Sequence, residues 1–184
     1  MGCKIIMAMK LLTTVELDSD SASSFTSSID STYKLYIFSW QARLTTDERG
    51  FMFNVSTDGG SNYNVRKDTT FFNAFHAEDD SGTPNVAYDA DYDGANITTT
   101  AQDLNRNFGN DADQNGVGIV KLFNPSNTTY VKHFTSESQN YAANNVSYHV
   151  FMGGYANTTS AINAVQFSCS SGVAVGFVKM YGVG

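Results

Sequence analysis

The feature that most constrains the fold is a pair of alternating segments between residues 117 and 135. The first arm reads Val-Gly-Ile-Val-Lys-Leu-Phe and places Val120 and Leu122 on one face; the second arm repeats the alternation after Asn-Pro-Ser-Asn at residues 124–127. Period-two alternation of β-branched and aromatic residues predicts strands. Pro125 sets the backbone angle for the second position of a turn. The segment therefore predicts a β-hairpin in an all-β domain.

Other segments with the same alternation predict about ten strands, at the spacing typical of β-sandwiches. No crossover helices are predicted, whereas residues 63–76 fit a strand or a helical turn equally well. The expected fold is an antiparallel, jelly-roll-like β-sandwich over residues 10–184, preceded by an N-terminal extension of residues 1–9.

The strand predicted over residues 33–43 is apolar on both faces. Its alternation places Tyr36, Phe38 and Trp40 on one side, opposite Tyr33 and its neighbours. Such a strand must be covered on both sides, by a second sheet, a loop or a neighbouring subunit. The last alternative makes Tyr36, Phe38 and Trp40 candidates for assembly contacts between copies.

Acidic residues concentrate in one part of the chain. The protein has 184 residues and a net charge of −7. Nine of its 18 acidic residues lie between Glu78 and Asp113, where Arg106 is the only basic residue, so this part carries −8. Neither a basic nucleic-acid surface nor a membrane-spanning run is present, and neither partner is expected. Residues 77–115 are predicted to form a long acidic loop with a strand near residues 96–104.

Two stretches of this loop match the opening of a calcium-binding loop. Their alternating carboxylates are Asp89, Asp91 and Asp93 in the first stretch and Asp111 and Asp113 in the second, and each stretch ends in a glycine. Calcium is bound by oxygen ligands of this kind, but an EF-hand also requires a glutamate at the twelfth position, where Thr100 and Leu122 stand. An EF-hand is therefore excluded. A looser calcium site and a solvated acidic loop remain as alternatives.

Motifs for catalysis are absent from the sequence. There is no nucleophile elbow, phosphate loop or dinucleotide fingerprint. The three histidines, His76, His133 and His149, lack a second ligand at the spacing typical of metal sites, so we expect ordinary strand histidines. Paired carboxylates for glycan cleavage depend on folding rather than on spacing, so this chemistry stays open. The expectation is a protein that is not an enzyme.

Four tyrosines in predicted loops are candidates for glycan binding. They are Tyr63, Tyr88, Tyr92 and Tyr141, and Asn or Asp residues lie near them. Aromatic rings with polar neighbours favour recognition surfaces, and binding residues concentrate on loops. The alternative function is therefore a carbohydrate-binding adhesion module.

Strand and turn sequences also carry a resemblance to a known family. The segments are residues 11–16, 25–38, 56–63 (Ser-Thr-Asp-Gly-Gly-Ser-Asn-Tyr), 122–134, 154–164 and 178–182. Through them, the chain from Met7 onward resembles small β-sandwich virion proteins of tailed, especially marine, bacteriophages. These segments contain no catalytic motif, so the resemblance indicates a location more firmly than an action.

The resemblance implies a protein on the virion surface, as a capsid decoration, a head fibre or a tail-fibre component. The expected partners are further copies of the chain in a homotrimer and other virion proteins. In the adhesion alternative, a host surface glycan is a further partner. No cofactor is expected apart from calcium in its alternative, and the family offers no catalytic residues.

Overall fold

The computed structural model describes residues 8–97 and 100–184. The regular secondary structure of these residues consists of β-strands, without a helix. The strands are β1 (Met9–Asp20), β2 (Ala22–Phe25), β3 (Leu35–Leu44), β4 (Phe51–Ser56), β5 (Lys67–Ala77), β6 (Asn85–Tyr88), β7 (Gly94–Ile97), β8 (Gln102–Asp103), β9 (Gly116–Phe123), β10 (Lys132–Tyr141), β11 (Val146–Ala156), β12 (Ala164–Cys169) and β13 (Ala174–Val183). No helix among these residues is long and apolar enough to cross a membrane.

The strands form two antiparallel sheets, which confirms the prediction of an antiparallel β-sandwich. The larger sheet has nine strands in the order β1-β13-β3-β9-β10-β11-β5-β6, with β7 also paired to β5. The smaller sheet has the order β2-β12-β4-β8. The ambiguous residues 63–76 contribute the strand β5 rather than a helical turn. The first strand, β1, begins at Met9. Residues 1–7 of the expected N-terminal extension lie outside the described residues.

The predicted hairpin is present as β9 and β10. Leu122 pairs with Phe134 in an antiparallel register. The return strand begins at Lys132, later than the alternation predicts. The amides of Thr129 and Tyr130 donate to the side-chain oxygen of Asn127, each at 2.8 Å. Because these amides are bound to a side chain, residues up to 131 stay in the turn.

Aromatic side chains fill the space between the sheets. The ring of Phe38 packs edge-on against Phe25 at 5.3 Å, and that of Trp40 lies 5.0 Å from Phe51. Phe53 of β4 meets Phe134 of β10 at 4.9 Å. Edge-to-face pairs at these distances stabilise a core beyond the area that they bury.

This packing corrects the prediction of assembly contacts. Tyr36, Phe38 and Trp40 are at most 1% exposed, because the four-stranded sheet covers their side of β3. They form the core of the chain itself and have no surface with which to contact another copy. On the opposite side of β3, Leu35 and Ile37 are only partly buried.

The acidic segment is also more ordered than predicted. It contributes the short strands β6, β7 and β8, which raises the count in the described residues from about ten to 13. Part of the strand expected near residues 96–104 falls on residues 98 and 99, outside the described residues. Leu104 and Phe108 are fully buried, and the Ser138 hydroxyl donates to the carbonyl of Leu104. The physical reason is that the four-stranded sheet is too narrow to cover the whole inner face of the nine-stranded sheet. The acidic segment covers the part of that face that the smaller sheet leaves open.

Candidate functional site

The five aspartates of the predicted calcium loops do not gather around a common point. Asp89 is buried, and its carboxylate lies 2.7 Å from the guanidinium of Arg106. Asp93 accepts the hydroxyl of Tyr88. Asp91, Asp111 and Asp113 are exposed. Within residues 8–97 and 100–184 there is no group of three or more His, Cys, Asp or Glu side chains placed to hold a metal ion.

The four candidate tyrosines are likewise dispersed, so the structure does not support one glycan site built from all of them. The ring of Tyr92 stacks on the buried Phe71 at 5.2 Å, and the Tyr63 hydroxyl is buried without a hydrogen-bond partner. Tyr88, 56% exposed, and Tyr141 lie at the surface of the nine-stranded sheet. The Tyr141 hydroxyl donates to Glu78 at 2.5 Å, and this hydrogen bond raises the pKa of Tyr141 to about 12.

The candidate site that the structure does form lies on the outer face of the nine-stranded sheet, the face turned away from the four-stranded sheet. On β10 the buried and exposed residues alternate strictly, because successive side chains of a strand point to opposite faces. The exposed set is polar along the whole strand: His133, Thr135, Glu137, Gln139 and, half-buried, Tyr141.

Five shallow depressions follow one another along this strand, and together they form what we call the outer groove. Each neighbouring pair of depressions shares one outward side chain of β10, in the order Gln139, Glu137, Thr135 and His133. From Tyr141 to His133 the strand spans about 26 Å, at about 3.3 Å per residue. The central depression has a volume of about 380 Å³, which falls within the range of small-molecule sites.

Apolar side chains from neighbouring strands form the walls of the outer groove. On one side, Phe151 of β11 stacks on Phe72 of β5 with ring centroids 5.1 Å apart and planes at 14°. On the other side lie Val117 and Ile119 of β9, which are 45% and 40% exposed. Phe72 is 42% exposed although it is a large apolar residue. Exposed apolar side chains that adjoin one another commonly mark a site of interaction.

The floor is lowered by a glycine. Gly153 lies on the outer face between Thr70 and Thr135, its partners on the two adjacent strands. A Cβ atom built on Gly153 would meet no atom closer than 3.9 Å. The depression therefore exists because the side chain is missing there, and a larger residue would fill it without disturbing the core.

The charged groups of the groove are mixed in sign. The carboxylate of Glu137 lies 3.0 Å from Nε2 of His149, whose ring lies 4.5 Å from that of Phe151. Lys121 is exposed at the edge of the same central depression. All three histidines stand on strands, as expected, and all three line the groove: His76 at one end, His149 nearer the centre and His133 toward the other end. Two further carboxylates, those of Asp68 and Glu78, line other depressions of the groove. The arrangement offers hydrogen-bond donors and acceptors together with aromatic faces, and its carboxylates outnumber the one lysine among the lining residues.

Sequence reasoning missed this groove. Its walls combine Phe72 and Phe151, which lie far apart in the chain and meet because β5 pairs with β11. The alternation in residues 132–141 could have identified the polar row on β10, since odd-numbered positions there are all polar or tyrosine. Which strands flank that row depends on sheet order, and no local pattern carries that information.

Comparisons with known proteins do not assign the chain to a family. No protein-family model matches the sequence. No curated protein matches it either. The resemblance to phage virion proteins therefore stays a prediction.

Proposed function

We propose that this protein is a non-enzymatic structural protein on the surface of a tailed-phage particle, as a capsid decoration, a head fibre or a component of a tail fibre. It acts by surface contact through the outer face of the nine-stranded sheet. The virion location is supported by the resemblance in the strand and turn segments. The contact role rests on the geometry of the outer face.

The observation that carries the contact role is the row of side chains that crosses the outer face. Cross-strand pairing aligns Ile119, Glu137, Phe151, Phe72 and Tyr88 on five neighbouring strands. Three apolar residues of this row, Ile119, Phe72 and Tyr88, are between 40% and 56% exposed. A protein whose outer face carries such a row is suited to contact with another molecule.

The location is tested by mass spectrometry of particles purified from a lysate that contains this protein. The proposal expects peptides of the chain in the particle fraction, in a constant ratio to the major capsid protein through successive density gradients. A ratio that falls at each gradient step would identify the chain as a contaminant and contradict the virion assignment.

A second candidate function is a carbohydrate-binding host-adhesion module. The specific observation that favours it is the outer groove, where an aromatic wall on one side and an aliphatic wall on the other flank a row of polar side chains. In this candidate function, the binding site is the outer groove rather than the four dispersed tyrosines. Of those four tyrosines, Tyr141 lines the groove. Adsorption of purified protein to host cells, and its loss when the groove is filled by Gly153→Leu, would support this function; unchanged adsorption of the variant would exclude the groove.

A further inference from the structure

We propose that the outer groove binds a linear, uncharged glycan along its length, by the middle of the chain rather than by its end. The inference deepens the proposed function and rests on it in one respect, namely that the outer face is turned to the surroundings of the particle.

The distribution of polar and apolar groups favours a glycan over a protein partner. Protein interfaces typically have an apolar centre and a polar rim. The outer groove has the opposite arrangement, since its centre is the polar row on β10 and its rims are Phe72 and Phe151 on one side and Ile119 on the other. Hydroxyl, amide and carboxylate groups in the centre suit the hydroxyls of a sugar, and aromatic rims suit its C–H faces.

The backbone of the groove gives a second argument. β10 is paired on both sides, with β9 and with β11, along most of its length. A peptide that adds a strand to a sheet needs the free backbone groups of an edge. No such groups are free at the middle of the sheet, so a ligand must be held by side chains alone. A chain of sugars, which has no peptide backbone to pair, meets this condition.

The open shape of the groove favours binding to the middle of a long glycan chain over binding to its end. The five depressions are open to solvent and lie in a row along β10, and each neighbouring pair shares an outward side chain of that strand. A site for the end of a chain would be closed at one side. The spacing of the outward side chains, about 6.6 Å for every second residue of a strand, repeats along the groove and offers several sugars in a row similar polar contacts.

The charged side chains of the groove favour an uncharged polysaccharide as the ligand. Around the central depression Glu137 is offset by Lys121, and the carboxylate of Glu137 also contacts His149. The other depressions add the carboxylates of Asp68 and Glu78, so the groove has no excess of basic side chains. A site for a polyanion would carry a clear excess of basic side chains. We therefore expect neutral polysaccharides to bind more tightly than acidic polysaccharides of the same length.

The test uses the full-length protein and affinity gel electrophoresis in gels that contain a soluble β-1,3-glucan, a β-1,4-mannan, an α-1,4-glucan or alginate, followed by a glycan microarray. Three variants are compared with the parent. Gly153→Leu fills the floor, and Phe72→Ser removes one of the two stacked rings of the aromatic wall. Thr14→Leu adds a leucine on the outer face of β1, away from the groove. Thermal unfolding confirms that each variant is folded, and Gly153→Leu is the decisive one because its new side chain has free space.

The expected result is retardation by at least one neutral polysaccharide, with binding roughly tenfold weaker or more in Gly153→Leu and Phe72→Ser and unchanged in Thr14→Leu. The inference would be overturned if no neutral polysaccharide or array glycan binds, or if folded Gly153→Leu binds as tightly as the parent. It would also be overturned if no glycan binds and Gly153→Leu abolishes self-association of the protein. In that case the groove is occupied by a second copy of the chain.

Failure of this inference is distinguishable from failure of the proposed function. Particles that contain the chain, combined with no glycan binding, would leave the virion role standing without the glycan. If the protein binds glycans through the groove but is absent from purified particles, the glycan site is supported and the virion role is contradicted.

Discussion

At the scale of single residues, the interior contains two lysines that bind carbonyl groups rather than carboxylates. Lys67 is fully buried, and its Nζ donates to Oδ1 of Asn54 at 2.6 Å and to the carbonyl of Val65 at 3.3 Å. Lys132, 1% exposed, donates to the carbonyls of Tyr130 and Thr158. Burial lowers the pKa of Lys67 to about 8. A buried ammonium without a paired charge costs stability, because it has lost its water.

The first prediction concerns the pH dependence that follows from Lys67. Since its folded pKa lies below the ordinary value of 10.5, the unfolded chain binds the extra proton, and stability rises with pH between about 8 and 10.5. Lys67→Met removes this dependence. From pH 7 to pH 9.5 the free energy of unfolding of the parent should rise by about 2 kcal/mol relative to that of Lys67→Met. Urea unfolding at the two pH values measures this change. A difference that stays constant would contradict the argument, and Lys34→Met, at an exposed position, is the control.

A second prediction compares neighbouring glycines on opposite faces of β11. A Cβ on Gly154 would approach the carbonyl oxygen of Asp68 to 2.2 Å, whereas a Cβ on Gly153 has free space. Gly154→Ala should therefore lower the free energy of unfolding by about 2 kcal/mol through overpacking, while Gly153→Ala should change it little. Thermal unfolding of the two variants measures the contrast. Equal effects would mean that the groove floor is not open.

At the scale of elements, an ion pair joins two parts of the acidic segment, and both of its members also contact residues of the nine-stranded sheet. Arg106 contacts Asp89 at 2.7 Å, and its guanidinium lies 5.6 Å from the ring of Tyr92 and 5.3 Å from that of Tyr148 on β11. Asn73 of β5 also donates to the carboxylate of Asp89, at 3.3 Å. The segment thereby covers the inner face that the smaller sheet leaves open.

We predict that Arg106→Ala destabilises the fold by about 3 kcal/mol, because it leaves the carboxylate of Asp89 buried without a positively charged partner. Arg106→Lys should recover only part of the loss, since an ammonium cannot present the same planar group to both rings and the carboxylate. Urea unfolding measures both variants. The exposed Arg49 provides the matched control, and an Arg106→Ala variant as stable as Arg49→Ala would contradict this role.

The elements differ in how far their sequence predicts them. Strands such as β3 and β9 were predictable because alternation is local. The sequence of β3 is apolar on both faces and does not show which face meets the second sheet. The pattern therefore also allows an interface formed by Tyr36, Phe38 and Trp40, which their burial in the core excludes. The acidic segment has few long apolar side chains, so its sequence predicts a loop, although Leu104 and Phe108 are buried. The outer groove could not be predicted, since it depends on which strands adjoin β10.

At the scale of the whole molecule, the assembly of copies remains a prediction. The argument for a trimer came from a strand that is apolar on both faces, and the four-stranded sheet now accounts for one of them. The remaining support is the partly buried Leu35 and Ile37 on the outer side of β3 and the usual symmetry of assemblies of identical chains. Light scattering at micromolar concentration should give three times the chain mass of 20.0 kDa. The mass of a single chain would contradict the trimer.

The central claim is that this protein works on the outside of a virion, and immunogold electron microscopy of intact, purified particles tests it most directly. With an antibody raised against the folded protein, the account predicts gold on the outer surface of intact particles, over the capsid for a decoration or head fibre and at the tail for a fibre component. Gold that binds only after the particles are disrupted, or no gold from an antibody that detects the chain on blots, would contradict it.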